Sequence, residues 1–469
     1  MPRRMVIVLS LTVAVGVASG VERDLASVGL PALPATARVR PDILLVTIDA
    51  LRADHLSSYG YERLTSTAID AFARNAVRFD NAIAQAPYTK ASVASIMTGL
   101  YPSSHKTVTA SVPFPETMTG HPTTAAIVTD VLPASVTTLA EGLHDAGYRT
   151  LGYTANPFLS EAFGFAQGFD LFRFYPGPDF AGAERLVADA LEAVHRVKPA
   201  VPLFVWVHLM EPHSPYVPPP WTAGRFEATM GAPQPIAGQV PIPAWLLPGT
   251  PRDRRLYVAA YDDEIAAADI AFDTLLRGFC DGRSRRPQAI VVTADHGEEF
   301  LDHGGWEHGS NLNDELIRVP LVIKGPTLRA GVIHAQVQLV DILPTLFEFA
   351  GARLPPIAGH SLLGVARGAS TSSPALSEIV GSQYALRDQA FKLIDFDDGR
   401  VQLFDLGRDP LEHRDIATGN AAQVRRMRGV LNRMLQQALQ MGRTIHNERV
   451  PLDPIVTERL RSLGYATQH

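Results

Sequence analysis

The chain has 469 residues, 46% apolar and 19% charged, which excludes an intrinsically disordered protein and leaves room for one large α/β domain with an appendage. Its formal net charge of −6 gives no sign of a polyanionic partner, so no nucleic acid is expected. The single cysteine, Cys280, excludes a disulfide framework and any multi-cysteine metal site, and its surroundings read as a helix end.

At the N-terminus, Arg3-Arg4, an apolar run over residues 5–18 and the small residues Ala18-Ser19-Gly20 have the layout of a signal peptide covering residues 1–20. The run is shorter than the ~20 residues a spanning helix needs, so cleavage and a periplasmic or secreted protein without a stable membrane span are expected. Residues 21–41, rich in Pro and Ala, read as a linker.

Order is expected from Asp42. Residues 43–48 form an apolar run of the kind buried on both faces of a parallel sheet, and it stops at Asp49. The same design recurs at 203–207, which stops at His208, and at 289–294, which stops at Asp295-His296. Ligands of open α/β sheets bind beyond the carboxyl ends of strands, so these ionisable groups converge on one site. Helical patterns lie between the strands at 67–77, at 138–146, where Thr138 and Glu141 have capping-box spacing, and at 255–276. The alternation predicts an α/β domain over 42–353, a mainly parallel, mixed sheet sandwiched by helices. Insertions at 107–136 and 217–250 are expected at the rim of its site.

After a Pro/Gly-rich stretch at 354–373, short runs such as Tyr384-Ala-Leu-Arg and Phe391-Lys-Leu-Ile-Asp read as antiparallel hairpins joined by the turn signal Asp-Asp-Gly-Arg. With a helix at 421–439 they predict a small antiparallel α+β subdomain over 374–440, followed by a tail, 441–469, packing on the domain.

A carboxylate at a buried strand end, such as Asp49, is costly unless paired or bound to a metal, and it reads equally as a helix N-cap or a ligand. Asp295-His296-Gly297-Glu298-Glu299, followed by Asp302, His303, Glu307 and His308, supplies oxygen and nitrogen donors. A solvated acidic loop is the alternative, and closure of a strand favours metal binding. Residues 91–97 are small and helix-compatible, Gly99 can end the helix, and Thr89 falls at its N-terminus, where free N–H groups favour an anion. A hydroxyl there caps the helix or, once bound to a metal, acts as a nucleophile.

Taken together, several blocks in order resemble the sulfatase family of the alkaline phosphatase superfamily: Asp-Ile-Leu-Leu-Val-Thr-Ile-Asp-Ala-Leu-Arg-Ala-Asp-His at 42–55, Met-Thr-Gly-Leu-Tyr-Pro at 97–102, Val-His-Leu-Met-Glu-Pro-His-Ser-Pro-Tyr at 207–216, Tyr-Asp-Asp-Glu-Ile at 261–265, Thr-Ala-Asp-His-Gly-Glu at 293–298, Arg-Val-Pro-Leu-Val-Ile-Lys-Gly-Pro at 318–326 and Leu-Phe-Asp-Leu-Gly-Arg-Asp-Pro-Leu-Glu at 403–412. The resemblance implies one divalent cation, Ca²⁺ foremost with Mg²⁺, Mn²⁺ and Zn²⁺ as alternatives, held by Asp49, Thr89, Asp295 and His296. It implies that His213 and His308 contact the ester anion or protonate its leaving group, although His213 also fits a loop-ordering role. Lys90 is expected to stand in for an arginine missing at Val93, with His208 and Arg52 as further substrate contacts.

Two departures limit the resemblance. The family's activating motif is Cys or Ser, any residue, Pro, a small residue and Arg, its first residue being oxidised to formylglycine. This chain has Thr89-Lys90-Ala91-Ser92-Val93, so no formylglycine can form. A Lys-any-His pair common in sulfatases is also missing from 147–158. The expectation is an exported hydrolase of sulfuric or phosphoric esters that favours phosphate-type esters through Thr89. An extracellular phosphotransferase, or a degenerate glycan-binding homologue without catalysis, is the alternative.

Overall fold

A computed structural model describes residues 40–108, 128–175, 182–237, 240–368, 372–446 and 448–451, with Val456 and Leu460. The expected signal peptide, nearly all of the linker, most of the 107–136 insertion and most of the tail lie outside the described residues.

Eight strands form the central sheet: β1 (Asp42–Ile48), β2 (Val77–Ile83), β3 (Arg149–Thr154), β4 (Leu171–Phe174), β5 (Leu203–Leu209), β6 (Gln288–Ala294), β7 (Arg318–Lys324) and β8 (Gly331–Gln338). Their spatial order is β8-β2-β7-β6-β1-β5-β3-β4. β1 and β5 are buried along their whole length, which is why both read as unbroken apolar runs. β1 pairs in parallel with β5 and β6, and β3 and β4 extend the parallel arrangement. Within this sheet β7 alone runs against its neighbours, β6 and β2, while β8 is parallel to β2. The mixed, mainly parallel sheet is the predicted one.

Helices α1 (Thr67–Ala73), α4 (Ala183–Arg196) and α5 (Arg254–Gly282) pack together as one group, and α2 (Thr89–Thr98), α3 (Leu139–Asp145) and α6 (Ile342–Ala350) as another. The Thr138 capping box is present: its Oγ1 accepts from Glu141 N at 3.1 Å and its N donates to Glu141 Oε2 at 2.8 Å. The helix expected over 67–77 stops at Ala73, because Val77 and Phe79 alternate with polar neighbours and bury their side chains as part of β2. Cys280 lies partly buried near the end of α5.

The C-terminal sheet has four consecutive antiparallel strands, β9 (Ala375–Ile379), β10 (Gln383–Arg387), β11 (Phe391–Phe396) and β12 (Val401–Asp405). Helix α7 (Ala421–Met441) packs Val424, Met427 and Leu431 against Leu386, Leu393 and Leu403 of that sheet. The Asp-Asp-Gly-Arg turn joins β11 to β12, not β10 to β11 as expected, since residues 388–390 already make the earlier link.

Candidate active site

Four adjacent parallel strands, β6, β1, β5 and β3, end at one edge, and their carboxyl ends supply the site. Asp49 follows β1, Asp295 and His296 follow β6, His208 is the penultimate residue of β5, and Asn156 lies just beyond β3. Thr89 is the first residue of α2, and all residues of this helix are buried. Thr89 Oγ1 is 3.5 Å from Asp49 Oδ1, 3.2 Å from His296 Nε2 and 3.5 Å from Asn156 Nδ2. Asp49 Oδ2 accepts from Asn156 Nδ2 at 2.6 Å and lies 3.1 Å from His208 Nε2. Ser92, one turn along α2, donates its hydroxyl to Asp295 O at 2.6 Å and so ties the helix to the strand end.

Two backbone distortions frame this cluster. Ala50 sits at φ 55° and Glu307 at φ 63°, a left-handed conformation that non-glycine residues seldom adopt. Ala50 N then donates to Asp295 Oδ1 at 3.2 Å, and Ala50 O accepts from the Tyr261 hydroxyl at 2.7 Å. The strained turn thus spans the gap between the two carboxylates.

The histidine tautomers are fixed by their outer partners. His296 Nδ1 donates to Gly297 O at 2.8 Å, so Nε2 presents its lone pair to Asp49, Asp295 and Thr89. His308 Nδ1 lies 2.9 Å from Glu298 Oε1, and the His308 ring is 4.3 Å from that of His296 and 5.0 Å from that of His213, centroid to centroid. Burial opposes charge on His308, but Glu298, Glu307 and Asp49 outweigh it and raise its pKa. Burial and the nearby His308 charge depress His296, and burial depresses His213 despite Asp49.

The carboxylates point to a cation. Asp295 Oδ2 is buried and makes no hydrogen bond, and its neighbour at 3.5 Å, His296 Nε2, presents a lone pair. Burial and then the Asp49 charge push the Asp295 pKa well up, whereas burial of Asp49 is outweighed by His213, His208 and His296, which hold it below the usual carboxylate range. Donor atoms of Asp49, His208 and Asp295 all lie within 4.8 Å of one another. Buried acceptors that face one another this closely fit a divalent metal ion.

The sequence profile described as Sulfatase matches residues 41–352. The chain belongs to the sulfatase family. A second profile, N-sulphoglucosamine sulphohydrolase, C-terminal, matches residues 301–440. Arylsulfatase K of Mus musculus is 36% identical over 148 residues, a match that spans 28% of this chain and 27% of that protein. Delta 4,5-hexuronate-2-O-sulfatase of Bacteroides thetaiotaomicron is 23% identical over 432 residues, covering 82% of this chain and 86% of that one. Among solved structures, a phosphonate monoester hydrolase from Silicibacter pomeroyi superposes with a TM-score of 0.69 at 21% identity, over 86% of this chain and 97% of that one.

This sulfatase-family chain commits three expected substrate contacts to other partners. Lys90 Nζ, which has three protons, donates to Thr129 Oγ1, Asp130 O and Asp130 Oδ1 at 3.0, 3.0 and 3.2 Å. It is buried, and burial, partly offset by Asp130, pulls its pKa down to about 8. Arg52 grips Asp54 with Nε and Nη2 and reaches Glu298 O and Asp302 with Nη1, so its fork positions the loops around Asp49. His208 joins the metal-type donors instead, its Nε2 on Asp49 and its Nδ1 2.8 Å from Thr47 Oγ1. Asn156 was missed by the sequence reading. Its signal was position: it follows a strand end, as Asp49 and Asp295 do, in the segment that lacks the Lys-any-His pair.

Proposed function

We propose that this protein is an exported, metal-dependent ester hydrolase that prefers phosphate-type esters and uses Thr89 as its nucleophile. The observation that carries this reading is the Thr89 hydroxyl at the N-terminus of α2, within 3.5 Å of Asp49, His296 and Asn156, in a chain whose one cysteine is far along α5. A divalent cation held by Asp49, Asp295, His208 and His296 would supply Lewis-acid charge that polarises the ester oxygen and lowers the hydroxyl pKa. Asp49 Oδ1 is the acceptor in reach of the Thr89 proton. The Thr89 Oγ–phosphorus bond forms, the bond to the leaving oxygen breaks, and that oxygen takes a proton from His308, whose pKa Glu298 raises against burial. Water then attacks phosphorus with its proton passing to His308, and the Oγ–phosphorus bond breaks as Oγ takes its proton back from Asp49, which restores Thr89.

Phosphorus chemistry is favoured because a sulfated threonine has no second hydroxyl to expel the group, and the gem-diol of formylglycine that does so cannot form. The named relatives include both sulfatases and a phosphonate monoester hydrolase. Turnover of aryl phosphodiester, aryl phosphate and aryl sulfate by purified, metal-loaded protein tests the reading. Phosphorus esters are expected to lead, and faster turnover of aryl sulfate would overturn the preference. N-terminal sequencing of the mature protein tests export, expected to start near residue 21 rather than at Met1. Among the described residues no helix is long and apolar enough to cross a membrane.

A further inference from the structure

A cavity of about 400 Å³ opens beside His213 and runs between α5 and the start of α4. Its rim is apolar and solvent-facing, with Trp221 58%, Val217 60% and Ile270 43% exposed. Its acidic residues are Glu184, Glu211 and Glu264, and no Lys or Arg stands among the described residues that line it. Glu264 is 4% exposed. Glu211 Oε1 accepts from Ala183 N at 3.1 Å, while Oε2 is buried and makes no hydrogen bond. Burial raises both carboxyl groups, and the charge of Glu211 raises Glu264 further. A pocket with apolar walls, an orphaned carboxylate oxygen and no fixed cation attracts positive charge on a greasy body.

Building on the hydrolase reading, we propose that this cavity is the leaving-group subsite and that it takes an apolar alcohol bearing an ammonium group. His213 places the cavity next to the reacting centre. The cation would lie between Glu211 and Glu264, with the Trp221 ring at the mouth. The probes are choline and its neutral carbon isostere, in which tert-butyl replaces trimethylammonium, titrated calorimetrically into the metal-loaded protein. Choline is expected to bind roughly tenfold more tightly, a preference lost in Glu264→Gln and reduced in Trp221→Ala, a rim change that leaves the core intact. Equal binding of the two probes, or an undiminished preference in both variants, overturns the proposal. Turnover of aryl phosphate by the same samples separates the two readings. A protein that turns over the ester but binds both probes alike loses only the cation site, and one that prefers choline but turns over no ester loses only the hydrolase reading.

Discussion

At the scale of single residues, Thr89 and Asp295 make the sharpest claims. Thr89→Ala is expected to lower kcat by several orders of magnitude, of the order of ~10⁶ where a nucleophile is lost, whereas Thr89→Ser keeps a hydroxyl at the helix start and should retain measurable turnover. Stopped assays on aryl phosphate esters check this, and near wild-type rates in the alanine variant would remove Thr89 from the chemistry. For Asp295, the buried oxygen without a hydrogen bond and the like charge of Asp49 set up a reversal of sign. In chelator-treated protein Asp295→Asn should melt no lower than wild type, because it removes an acid that is disfavoured beside Asp49. With a divalent cation at about a hundred times its Kd, wild type should gain about 2.7 kcal/mol and the variant much less. Thermal melts with and without chelator read the crossing, and parallel curves would count against a cation at this position.

At the scale of elements, α2 holds its N-terminus in place through Lys90. The ammonium is buried against Asp130, forty positions away in sequence, on the short strand Val128–Val131. Lys90→Ala removes the partner of a buried carboxylate and is expected to cost about 3 kcal/mol of stability, read as a lower denaturant midpoint. Activity per folded molecule should fall as well, since Thr89 is the adjacent residue; an unchanged midpoint would mean that Asp130 is satisfied without the ammonium. Such a pair shows why some elements were legible in sequence and others were not. β1, β5 and β6 announced themselves because strands buried on both faces need apolar residues throughout, and α3 did so because a capping box is local. β2 did not, because Arg78, Asp80 and Asn81 interleave with its apolar residues and mimic the end of α1. Asp49, Asp295 and His296 were readable from strand ends, but the commitments of Lys90 and Arg52 depend on partners that only the folded chain brings together.

At the scale of the whole molecule, the C-terminal sheet is joined to the catalytic one by buried polar groups. Lys392 of β11 lies 3.0 Å from Asp314 Oδ1 and 2.9 Å from Glu412 Oε1, and Glu378 of β9 accepts from Ser103 N at 3.0 Å and from Ser103 Oγ at 3.1 Å. Burial outweighs both Ser103 bonds and raises the Glu378 pKa from 4.5 to about 7. A raised folded-state pKa means that the folded chain holds this proton longer than the unfolded one, so the stability it contributes is full below pH 4.5 and is lost as pH rises through about 7. Glu378→Gln keeps the neutral form at every pH and should flatten that part of the stability curve, giving a variant more stable than wild type at pH 8 by up to about 3 kcal/mol. Denaturant unfolding across the pH range measures it, and identical slopes for the two proteins would contradict it.

The reversed direction of β7 bears on how such a protein diversifies. β6 leaves the sheet at its carboxyl edge and β7 enters at that same edge, so the intervening chain, with His296, Glu298 and His308, never crosses to the other side. A parallel neighbour would have required a crossover to the opposite edge before the sheet could continue. The excursion between Asp295 and Ile317 is therefore tied down only at its two ends as far as the sheet is concerned. Apart from His296, Glu298, Asp302 and His308, which the site and Arg52 hold, it can lengthen, shorten or exchange residues over evolutionary time while the strand order stays as it is, and new specificities can be grafted there without rebuilding the core.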